Sequence, residues 1–126
     1  MLTTNNKQLI GDSAVDKKRY ITEMGMGVDV HGGSNTKAAE RAVFDAIHHS
    51  SLNFFKVLDK SAHDMVIDLL IGVPDPESVD IAAVAKILPY GTVSVKVEKG
   101  GLEIPGADGG DSIVIANAGV IVQFEH

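Results

Sequence analysis

The amino-acid sequence predicts one domain of the α/β (α+β) class, a mixed sheet with two helices packed on one face in the order β-α-β-α-β-β-β. Three observations predict it. Apolar residues alternate with polar ones or glycine over residues 20–31 and 92–98, the period of a strand whose two faces differ. The apolar positions of residues 36–49 recur every three or four residues, the period of a helix. Met65–Val73 is almost wholly apolar and is closed by Pro74-Asp75-Pro76, which reads as a strand covered on both faces.

Taken in order, residues 1–18 lack periodicity and read as a mobile N-terminal arm, leaving 19–126 as the domain. From Tyr20 to His31 one face holds Tyr20, Thr22, Met24, Met26, Val28 and Val30 and is expected in the core. The other, with Ile21, Glu23, Gly25, Gly27, Asp29 and His31, is expected to be bare and polar. Gly32-Gly33-Ser34-Asn35 is a turn, and Ser34, Asn35 or Thr36 can cap the helix Thr36–His49. Its stripe of Ala38, Ala39, Ala42, Val43, Ala46 and Ile47 suits close packing on a sheet. Ser50–Asp64 is less regular. The strand Met65–Val73 carries one charge, Asp68. Ser78–Leu88 reads as a short helix with Ile81, Val84, Ala85 and Leu88 inward, closed by Pro89. Thr92–Glu98 is a strand that Gly100-Gly101 can turn into a hairpin with Leu102–Ile104. A glycine-rich loop, Pro105–Asp111, precedes the last strand, Ser112–Phe124.

Composition narrows the function. At 126 residues and 44% hydrophobic the chain can bury a real core. A net charge of -6 without a Lys/Arg cluster offers no footprint for nucleic acid or an anionic membrane. The absence of cysteine removes disulfides, thiolate metal sites and sulfur nucleophiles together. No apolar run has the length of a membrane span or the form of a signal peptide, so the cytoplasm is the expected location. Two helices leave one sheet face uncovered, and further copies of the chain are the simplest cover. A closed homo-oligomer is therefore expected, a trimer first.

Chemistry concentrates in Gly25-Met-Gly-Val-Asp-Val-His-Gly32. Two glycines inside a strand cost about 0.5–1 kcal/mol each relative to alanine, so something approaches that backbone closely, either a packed element or a ligand. The segment is no dinucleotide fingerprint, because the glycines lie within the strand and Val30 stands where the third would be. Asp29 and His31, about 6.6 Å apart on one strand face, form the candidate catalytic pair: His31 as general acid/base, Asp29 orienting it. They could also offer two metal ligands, but a third would have to come from elsewhere, Glu23 lying about 20 Å up the strand, so no metal is assigned. No cofactor is assigned either. Lys37 and Arg41, in the first turns of the helix, sit where its dipole disfavours cations unless an anion binds there, although Arg41 can instead pair with Asp45 at i+4. Glu23, Gly25, Gly27, Gly32, Lys37 and Arg41 are accordingly the expected ligand-binding residues. Asn117, polar within the last strand, joins them on the open face, with Asp111 and Ser112 nearby.

In order and spacing, Gly25, Gly27, Asp29, His31 and Gly32 resemble the Gly-x-Gly-x-Asp-x-His-Gly signature of the Lin family of small uncharacterised bacterial and plant proteins. The stretches TKAAERAV, IGVPDPESVD, GGLEIP and IVIANA extend the resemblance over about residues 20–122. It implies that the motif is a site, and implies no activity. Element order and size are also similar to the trimeric chorismate-mutase-like fold, whose ligands bind in clefts between subunits, an analogy of layout alone. The expected function is a small-molecule site for an anionic metabolite at a subunit interface, with hydrolase or isomerase chemistry. A non-catalytic ligand-binding or regulatory module and an oligomeric structural protein are the alternatives.

Overall fold

The structure, a computed structural model, describes residues 17–48, 65–88 and 91–125. The expectations for residues 1–16, His49, Ser50–Asp64 and Pro89 lie outside them. Strand β1 is Lys17–Asp29, helix α1 Asn35–His48 and strand β2 Met65–Val73. After a 3-10 turn at Pro76–Ser78 come helix α2, Ile81–Ala85, and strands β3, Thr92–Lys99, and β4, Leu102–Ile104. Strand β5, Ile113–Glu125, follows a second 3-10 turn at Ala107–Gly109. The element order is the expected one.

Helix α2 is shorter than its periodicity suggests. Pro76 starts a separate turn, and Asp80 begins a new helix by accepting the Ala83 N–H at 3.1 Å. Val84 and Leu88 are buried as expected, while Ile81 is exposed.

The sheet runs β1-β5-β2-β3. β5 is antiparallel to both neighbours and β2 is parallel to β3, so the last strand inserts between the first two and the β1-α1-β2 crossover spans it. The expected hairpin between β3 and β4 does not form. β5 extends past the end of β2, leaving Ile113–Ile115 with a free ladder, and β4 pairs there. Gly100 crosses the end of β2 on the way, its N–H donating to the Val73 carbonyl at 2.9 Å.

The core lies between the sheet and α1. Met65, Ile67, Leu69, Ile71 and Val73 of β2 and Val114, Ala116, Ala118, Val120 and Val122 of β5 meet Ala38, Ala39, Ala42, Val43, Ala46 and Ile47 of α1. Which face of β1 joins them is the reverse of the expectation. Glu23, Gly25, Gly27 and Asp29 pair with Val120, Ala118, Ala116 and Val114, all on the helix side. Met24 and Met26 instead lie on the uncovered face, 79% and 55% exposed. The cause is backbone proximity: a Cβ at Gly25 would overlap the Ala42 carbonyl oxygen and lie 2.8 Å from Ala46 Cα. One at Gly27 would overlap the Ala38 carbonyl oxygen and lie 2.8 Å from the Arg41 carbonyl carbon. Helix and strand touch through glycine and alanine, and no larger residue fits between them. Among the described residues no helix is long and apolar enough to cross a membrane.

Candidate functional site

Asp29 closes β1 and is 3% exposed. Its Oδ2 accepts the Ser34 N–H at 2.8 Å, and its Oδ1 accepts from Arg41 Nη1 at 3.1 Å. The Ser34 amide holds the Asp29 carboxyl below its ordinary value. Burial pushes the other way, and the Arg41 guanidinium and Lys37 ammonium add to the lowering. Ser34 is the cap of α1: its hydroxyl accepts the Lys37 N–H and its carbonyl the Ala38 N–H, both at 3.1 Å. The carboxylate therefore sits at the positive end of the helix and fastens the turn that leads into it.

That turn needs glycine. Gly32 and Gly33 have φ of +91° and +59°, a left-handed conformation that a side chain would strain. Gly32 N–H donates to Asp111 Oδ2 at 3.0 Å, tying the turn to the loop before β5. Asn35 and Thr36 join the helix start to the segment after β2. Asn35 Oδ1 accepts the Asp75 N–H at 3.1 Å, and Thr36 Oγ1 accepts the Asp80 N–H at 2.9 Å.

Arg41 and Asp45 do not pair as i,i+4 neighbours; both reach to the outer edge of β1. Arg41 Nη1 donates to the Val28 carbonyl at 2.7 Å, and the Met26 N–H donates to Asp45 Oδ2 at 2.9 Å. Arg41 is thus engaged by Asp29 and by the strand backbone.

No hydrogen bond or ion pair joins Asp29 to His31. The strand ends at Asp29, so the two-residue repeat no longer governs His31, which stands exposed in the turn. Glu23 lies on the helix side and Lys37 is exposed on the first turn of α1. Among the described residues no group of three or more His, Asp or Glu is placed to hold a metal ion.

A concave surface lies elsewhere. An open groove of about 450 Å³ crosses the uncovered sheet face over Asn117 and Gly119, with Met24 on one wall and Leu70, Glu98 and Lys99 on the other. Of the expected site residues, Asn117 and Gly25 border it. Leu70, Gly72, Glu98 and Gly119 were not singled out from sequence. The available signal was Gly72 and Gly119 interrupting two apolar strands, a local loss of side-chain volume that leaves a trough. Leu102 and Ile104, paired with Ile115 and Ile113, extend the same face and are 62% and 46% exposed.

Residues 19–122 match the family model described as conserved hypothetical protein (Lin0512_fam), and the chain belongs to that family. It is similar to an FtsZ-like protein of unknown function from Nostoc punctiforme PCC 73102, known from a crystal structure, with 38% sequence identity and a TM-score of 0.76. The match covers 90% of this chain and 100% of the Nostoc chain. Among curated proteins none matches.

Proposed function

We propose that this member of a conserved hypothetical family is a self-assembling small-molecule-binding module, whose site lies on the sheet face its own helices leave bare. One observation carries the reading: Met24, Met26, Leu70, Leu102 and Ile104 are exposed on that single face, around the groove over Asn117. Contiguous exposed apolar surface on a small soluble domain marks an association site, and copies related by closed symmetry cover it. Assembly there encloses the groove between subunits. The Asn117 amide can donate to a ligand in it, which suits a small organic molecule with an acceptor group such as a carboxylate.

Acid/base chemistry by Asp29 and His31 draws no support from this geometry, since the carboxylate is spent on Ser34 and Arg41. Lys37, Arg41 and Gly32 could hold an anion only in competition with the Asp29 and Asp111 carboxylates beside them. Gly25 and Gly27 meet the backbone of α1, which supports a role for both in the fold, with Gly25 also bordering the groove.

Light scattering of the full chain at micromolar concentration tests assembly: a multiple of 13.3 kDa supports it and 13.3 kDa overturns it. Thermal scans with small carboxylates and phosphates test the ligand. A rise in Tm that Asn117→Ala removes supports the groove, and a rise that survives this change overturns it as the site.

A further inference from the structure

The two edges of the sheet are treated differently. The β1 edge is closed: Arg41 and Asp45 take its Val28 carbonyl and Met26 N–H, and a register shift between Arg19 and Ile21 breaks its regularity. β3, at the other edge, pairs with β2 alone among the described residues, in unbroken register from Val66↔Thr92 to Val73↔Lys99. Its sequence, Thr-Val-Ser-Val-Lys-Val-Glu-Lys, has no proline, and neither Lys96 nor Glu98 makes an ion pair among the described residues. Such an edge offers a regular row of N–H and C=O groups, and its charges, Lys96, Glu98 and Lys99, admit another strand only where they are matched across the contact.

From its charge pattern we infer that β3 pairs antiparallel with β3 of a second copy, about a two-fold axis through Val97. A two-fold perpendicular to the sheet keeps each side chain on its own face, so only registers that place residues of like parity opposite one another are allowed. Centring on Lys96 sets lysine against lysine, and centring on Glu98 sets glutamate against glutamate. Centring on Val97 sets Lys96 against the partner's Glu98 twice over, with valine against valine between them. Centring on Val95 sets Lys96 against serine, which makes no ion pair. The occupant of the edge is therefore another copy of this chain. The contact runs along the β3 edge, with Lys96 and Glu98 on the same sheet face as their partners Leu70 and Gly72, so it is separated from the assembly proposed on that face by charging Met26 and Leu102.

The test is sedimentation equilibrium at low salt on the chain carrying Met26→Glu and Leu102→Glu, which removes the face contact. In that background Lys96→Glu and Glu98→Lys should each weaken dimerisation about tenfold or more, and the double exchange should restore it to within about threefold. As a second measurement, Val97→Cys in this cysteine-free chain should oxidise to a covalent dimer, because opposed residues at the axis lie about 4.5–5.5 Å apart, within disulfide reach. A monomer at all concentrations, single exchanges without effect, or a double exchange no better than the singles would overturn the inference.

Discussion

Asp29 keeps its charge inside the fold because two donors meet it there, the Ser34 amide and the Arg41 guanidinium. Its carboxyl titrates below the ordinary value in the folded chain, so the folded state holds the proton less tightly than the unfolded one. The stability this contributes is complete above the unfolded pKa, near 4, and is lost as the pH falls through the folded value. Asp29→Asn should therefore cost about 1–3 kcal/mol at pH 7, and the gap from the parent should narrow below about pH 4, read by urea unfolding at both. His31, exposed beyond the strand end, makes the contrast: His31→Ala should change stability by less than about 0.5 kcal/mol in the same experiment. The sequence places both residues in one motif, and the spacing argument joins them. Alternation holds only while the chain is extended, and the strand ends at Asp29, before His31. The Asp111 contact to Gly32, 79 residues away, has no local signal at all.

Among the elements, the helix and the long strands were legible because each has its own period; β2 matches its expected bounds residue for residue. The pairing of β4 was not, because the turn at Gly100-Gly101 permits a hairpin and only the overhang of β5 past β2 decides against it. The orientation of β1 was not legible for a different reason. A strand with apolar residues on one face and glycines on the other normally buries the apolar face, and here it buries the glycines. Both halves of the contact stood in the sequence, a glycine stripe at 25 and 27 and an alanine stripe at 38, 42 and 46, but each becomes informative only when laid on the other. The backbones cannot separate without opening the core, so Gly27→Ala should cost about 1–3 kcal/mol or more and lower Tm by at least about 5 °C. Thr22→Ala, on the exposed face of the same strand, should cost less than about 0.5 kcal/mol. If the two variants melt alike by calorimetry, the glycines do not seat the helix.

At the scale of the molecule, choosing which face of β1 is buried chooses which surface the protein offers. Had Met24 and Met26 gone inward, the bare face would have carried glycines and a carboxylate. With the glycines inward, it carries methionine, leucine and isoleucine, and a groove where Gly119 leaves space beside Leu70. The expectation of an uncovered face follows from counting helices and does not depend on that choice; what the face carries does. Apolar surface of this size contributes about 25 cal/mol per Å² when water is removed from it, a gain available only between chains. Charging the face should therefore act on assembly and not on folding. Met26→Glu and Leu102→Glu should each shift the mass seen by light scattering toward 13.3 kDa, with thermal unfolding of the dilute chain changed by no more than about 2 °C. Should the charged variants keep the parent's mass, copies meet by another surface; should they unfold instead, the methionine and leucine side chains are part of the chain's own core.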